Sequence, residues 1–153
     1  MSIAERLTAM GIALPAPPQP AGAYMRAKRT GNLIFVAGQL PMVSGAIRYT
    51  GRVGSDISLE EGYDAARICA LNALSILAAE AGSLEAIAQL VRVEGFVCSA
   101  DGFTDQPKVI NGASDLFSHV LGEAGSHARL AIGVKELPLG ASVELSVIAE
   151  VRE

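Results

Sequence analysis

Residues 141–152 alternate without a break, and this pattern constrains the fold more than any other in the chain. Val143, Leu145, Val147, Ala149 and Val151 fall on one side of an extended backbone, and Ser142, Glu144, Ser146, Ile148 and Glu150 on the other. A period of two means a strand with one face against a core. The chain must therefore contain a sheet and something to cover one side of it. Two helical segments can do so. Ser58-Leu59-Glu60-Glu61 forms a capping box, which opens a helix running to about residue 81 and stopped by Gly82. Its apolar positions Ala66, Cys69, Ala70, Ala73, Leu74 and Leu77 recur at helical spacing. A second helix is predicted from about residue 105 to 121, with Pro107 tolerated in its first turn and Gly122 ending it. Two long helices on one face of a mixed sheet define an α+β layer.

The remaining segments fill in the order β-β-(β)-α-β-α-β-β. Residues 2–10 read as a short helix capped by Ser2 and stopped by Gly11. Pro15, Pro17, Pro18 and Pro20 follow as an extended arm. Residues 1–22 are thus an N-terminal helix and proline-rich arm, and residues 23–153 the main domain. Residues 23–29 and 33–37 make a strand pair around the turn Thr30-Gly31-Asn32. The run 33–37 is apolar at every position, which predicts burial on both faces. Residues 46–50 are a weak strand. Residues 90–99 form another, with Val91, Val93 and Val97 expected on one face, and residues 127–135 lead into the final strand.

Composition sharpens the picture. The chain has 153 residues, 50% hydrophobic and only 18% charged. A small domain has much surface to cover, so this balance implies surface hidden in an oligomer. The sheet face opposite the helices is the natural place for it. A net charge of −4 argues against a general nucleic-acid binder, and Arg26, Lys28 and Arg29 read as a solvated strand edge. Cys69 and Cys98 lack ligand or CxxC spacing, so they are expected to be buried free thiols in a reducing compartment. Glu5 and Arg6 interrupt any signal-peptide core, and no apolar run approaches the ~20 residues of a membrane helix. The expectation is a cytoplasmic protein without a membrane segment. Acidic residues are scattered without metal-ligand spacing, and no GxGxxG or Walker pattern occurs; no metal or cofactor is expected.

Two residues invite chemistry. Arg129 lies among Leu130, Ile132 and Val134, which are expected to face the helices, so Arg129 is expected on the opposite face with Ala131 and Gly133. A guanidinium there needs a partner or an anion, and its planar fork suits a carboxylate. Glu144 lies on the last strand, opposite Val143 and Leu145. If the last two strands pair as a hairpin, Arg129 and Glu144 share a sheet face. They could neutralise one another as an interface pair. Alternatively, the arginine could fix a substrate carboxylate while the glutamate holds a water as general base. His119 reads as solvated. His127 shares the face of Arg129, which would put it near a cleft there, but reads first as structural.

Arg129 followed by Leu137-Pro138, Gly140, Val143-Glu144-Leu145 and Ala149 resembles the C-terminal signature of the RidA/YjgF family, long labelled "endoribonuclease L-PSP". Tyr24 followed by Gly38-Gln39-Leu40-Pro41 resembles its N-terminal elements, and Asn111 with Phe117 its helical Asn-then-aromatic pattern. The resemblance covers residues 23–151. It implies a chorismate-mutase-like α+β fold, a homotrimer, and clefts between subunits in which reactive enamines and imines such as 2-aminoacrylate are hydrolysed to 2-keto acids and ammonia. It further implies that Arg129 binds the substrate carboxylate and Glu144 orients or activates water. Tyr24 would line the cleft from another chain, and the backbones of Gly38 and Ala131 would hold substrate or water. The chain departs from the pattern at Ala37, where the family often has Ser, and at Ala131, where it often has Cys. These departures leave open a trimer that binds a small carboxylate without turnover. The old family label leaves open an RNA-cleaving enzyme, which would need a basic groove that this acidic chain lacks.

Overall fold

The computed structural model describes residues 1–20 and 22–153. Helix α1 (Ile3–Ala9) leads through the proline arm to β1 (Ala27–Thr30) and β2 (Leu33–Gln39). A small hairpin of β3 (Met42–Val43) and β4 (Ala46–Ile47) follows. Then come α2 (Leu59–Ala81), β5 (Ile87–Cys98), α3 (Gln106–Leu121), β6 (Ala128–Val134) and β7 (Val143–Val151). The main sheet has the order β1-β2-β7-β5-β6. Every pairing is antiparallel except β5 with β6.

The alternating C-terminal segment is the central strand. Val143, Leu145, Val147, Ala149 and Val151 are buried beneath the helices. Helix α2 packs across β7 and β2, and α3 packs on α2, β5 and β6. The capping box of α2 forms in both directions: the Ser58 hydroxyl accepts from the Glu61 N–H at 3.1 Å, and the Glu61 carboxylate accepts from the Ser58 N–H at 3.0 Å. Gly82 ends the helix in the left-handed conformation at φ 91°, which suits glycine. The two helices come close at Gly112, where a Cβ would overlap the Tyr63 carbonyl oxygen. Helix α1 has its own capping box at Ser2 and buries no residue completely. Ile3, Leu7, Ile12 and Leu14 lie partly buried against the core.

Five expectations are corrected. The first strand begins only at Ala27, and the weak strand at 46–50 shrinks to one side of the β3–β4 hairpin. Within the chain the run 33–37 is buried on one face only: Ile34 and Val36 point under the helices, whereas Phe35 is 41% exposed. Val91 does not share the face of Val93, because the β5–β7 register shifts between Leu90 and Arg92 and turns Val91 outward. Finally, β6 and β7 are not a hairpin. Strand β6 returns from α3 to lie parallel to β5 at the sheet edge, and β7 crosses to the far side of β5, into the gap beside β2.

Among the described residues, no helix is long and apolar enough to cross a membrane. Cys69 and Cys98 are free thiols, both buried.

Candidate functional site

The residues singled out by sequence fall into two groups on opposite sides of the sheet. Arg129 pairs in register with Val93 of β5, which pairs with Val147 of β7; both valines are buried under the helices. Arg129 shares their face. Its NH1 donates to Asn111 Oδ1 at 2.8 Å and to Ser114 Oγ at 3.1 Å, both on α3. The expectation that Arg129 points away from the helices is therefore overturned. Gly133 shows the same parity, since a Cβ there would press on Gln106 and Ser99. The apolar residues point the other way, and Ile132 is 45% exposed.

The arginine stands in a directed chain of hydrogen bonds. Ser114 Oγ lies 2.9 Å from His127 Nε2, and His127 Nδ1 lies 2.7 Å from the Gly125 carbonyl. A carbonyl only accepts, so Nδ1 carries the proton and, in the neutral ring, Nε2 accepts from Ser114. Phe117 packs edge-on to the imidazole at 6.0 Å. These contacts fix NH1 and leave the other guanidinium nitrogens without a hydrogen bond among the described residues. No carboxylate lies within ion-pair distance of Arg129 among them either. A half-buried guanidinium held by neutral groups alone is prepared for an anion from outside. Ala131, two residues on, is partly buried against the core.

The second group lies on the open face. Glu144 shares a row with Phe96 and Ile132. Its carboxylate fills the space over Gly38, where a Cβ would run into Oε2. The glycine is needed there for room rather than for backbone freedom. Glu144 has no hydrogen bond or ion pair among the described residues, and burial raises its carboxyl above the usual carboxylate range. Tyr24, 51% exposed, shares with Gly38 a small cavity of about 50 Å³ bordered by Pro18 and Arg26. The open face around them is apolar: Phe35 stands opposite Ile148, and Phe96 opposite Ile132.

Arg129 and Glu144 thus do not share a face, contrary to the hairpin expectation. They are two strand spacings and three residues apart, roughly 14 Å between backbones, with the sheet between them. One surface offers a guanidinium without a carboxylate partner among the described residues, and the other a desolvated carboxylate. Sequence reasoning missed Ser114 altogether and left His127 as a structural residue. The spacing of Asn111 and Ser114 by three residues, on one face of a helix, was the available signal.

The fold defines the class of protein: an α+β chain of the chorismate-mutase-like type. The chain belongs to the family whose model is described as "YjgF/chorismate mutase-like, putative endoribonuclease", which matches residues 4–151. Protein TCP17 of Trypanosoma cruzi is 42% identical over 149 residues, 97% of this chain and 93% of that protein. Among solved structures, protein Atu1372 of Agrobacterium tumefaciens is 43% identical with a TM-score of 0.89, covering 97% of this chain and 91% of that one. A Shewanella oneidensis protein with the same "putative endoribonuclease" description is 33% identical with a TM-score of 0.95, covering 99% and 100%.

Proposed function

We propose that the protein is a cofactor-independent enamine/imine deaminase acting as a homotrimer. Each cleft would take Arg129 and Ala131 from one copy and Tyr24, Gly38 and Glu144 from the next. The observation that carries this reading is Arg129: half-buried, fixed through NH1 by Asn111 and Ser114, and without a carboxylate partner among the described residues. Its free edge suits the carboxylate of a 2-imino acid. Glu144, with its affinity for a proton raised by burial, is a stronger base than a solvated carboxylate. In the step proposed, Glu144 takes a proton from water as the oxygen bonds to the imine carbon. The C=N π pair passes to nitrogen, which takes the proton that Glu144 removed from water. Glu144 then carries the carbinolamine's hydroxyl proton to nitrogen, the C–N bond breaks as the C=O bond forms, and ammonia departs to leave a 2-keto acid. Free thiols suit a cytoplasmic location for this chemistry.

Ala37 and Ala131 support a second reading, a trimer that binds a carboxylate ligand without turnover, because neither can supply a side-chain hydroxyl or thiol to the cleft. The deciding assay is ammonia release from freshly generated 2-aminoacrylate, against buffer. The deaminase reading expects release well above buffer. Arg129→Lys keeps the charge but loses the fork, so it should weaken both turnover and pyruvate binding. Glu144→Gln should lower turnover much more than pyruvate affinity. Saturable pyruvate binding with no ammonia above buffer would select the second reading. If both variants lose the assembly together with ligand binding, the two residues are structural and both readings fail.

A further inference from the structure

A further cavity contains no residue of either group and adjoins the small cavity of Tyr24 and Gly38, sharing Pro18, Gln19 and Met42 with it. It measures about 570 Å³, within the range of small-molecule pockets. The proline arm roofs it with Pro15 and Pro18, the β3–β4 hairpin supplies Val43, and helix α2 supplies Ile68, Leu71 and Asn72. The walls are largely apolar. Asn72 is the exception, and it is 2% exposed. Its Nδ2 donates to two carbonyls, Leu40 O at 3.2 Å and Met42 O at 3.1 Å. Those acceptors fix the orientation of the amide and spend its donors. Oδ1 is left without a hydrogen bond among the described residues and is not fully sealed by protein. A nearly buried side chain that lines the cavity and keeps an unused acceptor places that acceptor on the cavity.

We infer that this cavity binds a small molecule with an apolar, ring-sized body and one hydrogen-bond donor, a hydroxyl or N–H that reaches Asn72 Oδ1. The apolar walls favour the body. A ligand that covers Oδ1 without a donor leaves a buried acceptor unsatisfied, and this sets the selectivity. A carboxylate is the wrong ligand here, because it would face another oxygen.

The test uses 2-naphthol and 2-methoxynaphthalene, which share the ring system but differ in the donor. Binding is read by titration calorimetry, because the parent chain contains no tryptophan and Val43→Trp adds an indole that would disturb naphthol fluorescence. The full-length protein should bind 2-naphthol saturably, one per chain, and the methyl ether about tenfold more weakly. Val43→Trp fills the cavity from its rim, where the side chain is 38% exposed and no core is disturbed; it should weaken naphthol binding at least about tenfold. Arg129→Lys should leave naphthol binding unchanged, which separates this site from the proposed deaminase cleft. Absent saturation, equal affinity for the two probes, indifference to Val43→Trp or loss in Arg129→Lys would each overturn the inference.

Discussion

Glu144 holds a carboxylate where the fold gives it little in return. Burial raises its folded-state pKa, and among the described residues no donor offsets the loss of water. The native state therefore binds more protons than the unfolded chain between the unfolded and folded pKa values. Across that window stability falls as pH rises, and the loss is complete above the folded pKa. Glu144→Gln removes the titration. The variant should melt higher than the parent, with a gap that is larger at pH 8 than at pH 5, measured by thermal unfolding at both. A gap that closes with rising pH would mean that a donor satisfies the carboxylate after all. Stability gained as turnover falls is the pattern expected of a residue kept for chemistry. Arg129 shows how much of the site could be read in advance. Its identity and its suitability for an anion follow from the residue type. Its direction does not, because apolar alternation ordinarily marks the core side. In β6 the larger apolar residues Leu130, Ile132 and Val134 face outward, and the small Ala131 and Gly133 face α3, where Gln106 and Ser99 leave no room for more.

Helix boundaries were the most legible elements, since capping chemistry is local. Ser58, Glu61, Gly82, Ser2 and Gly122 all stand at the ends of the helices that they predicted. Strand partners were less legible. A strand's neighbours depend on crossovers that sequence proximity does not encode, which is why β5, and not β7, lies beside β6. The bulge near Val91 is likewise invisible to a count of alternating residues. The two capping boxes should differ in worth. Helix α2 carries much of the core, so Ser58→Ala should cost about 1 kcal/mol in urea unfolding. Helix α1 buries no residue completely, so its melting need not accompany global unfolding. Ser2→Ala should leave the urea midpoint within error while raising amide exchange in residues 3–9. Equal midpoint losses would show that α1 belongs to the cooperative unit.

The whole chain leaves one sheet face bare. Phe35 and Ile132 are 41% and 45% exposed, and Phe96 and Ile148 lie beside them on that face. Apolar side chains gathered on an open face suit a contact with another molecule, as the low charge content also implied. The proposed trimer should give about three times 15.8 kDa in light scattering at micromolar concentration. Phe35→Glu, which places a charge on that face without touching the helix-side core, should shift the mass towards a single chain while the fold persists by circular dichroism. A parent that is stably monomeric would remove the basis for a shared cleft.

The sheet that stands between Arg129 and Glu144 has a genetic consequence. If every working cleft joins the guanidinium of one copy to the carboxylate of the next, neither residue is lost to the assembly when one kind of chain loses it. Arg129→Lys and Glu144→Gln proteins, each inactive alone, should regain activity when unfolded together and refolded as mixed trimers. Random association around a ring pairs an intact arginine with an intact glutamate in about a quarter of the clefts. The same two changes placed in one chain and mixed with nothing should stay silent. Two recessive defects that repair each other within one oligomer would trace the boundary of the cleft without any view of it.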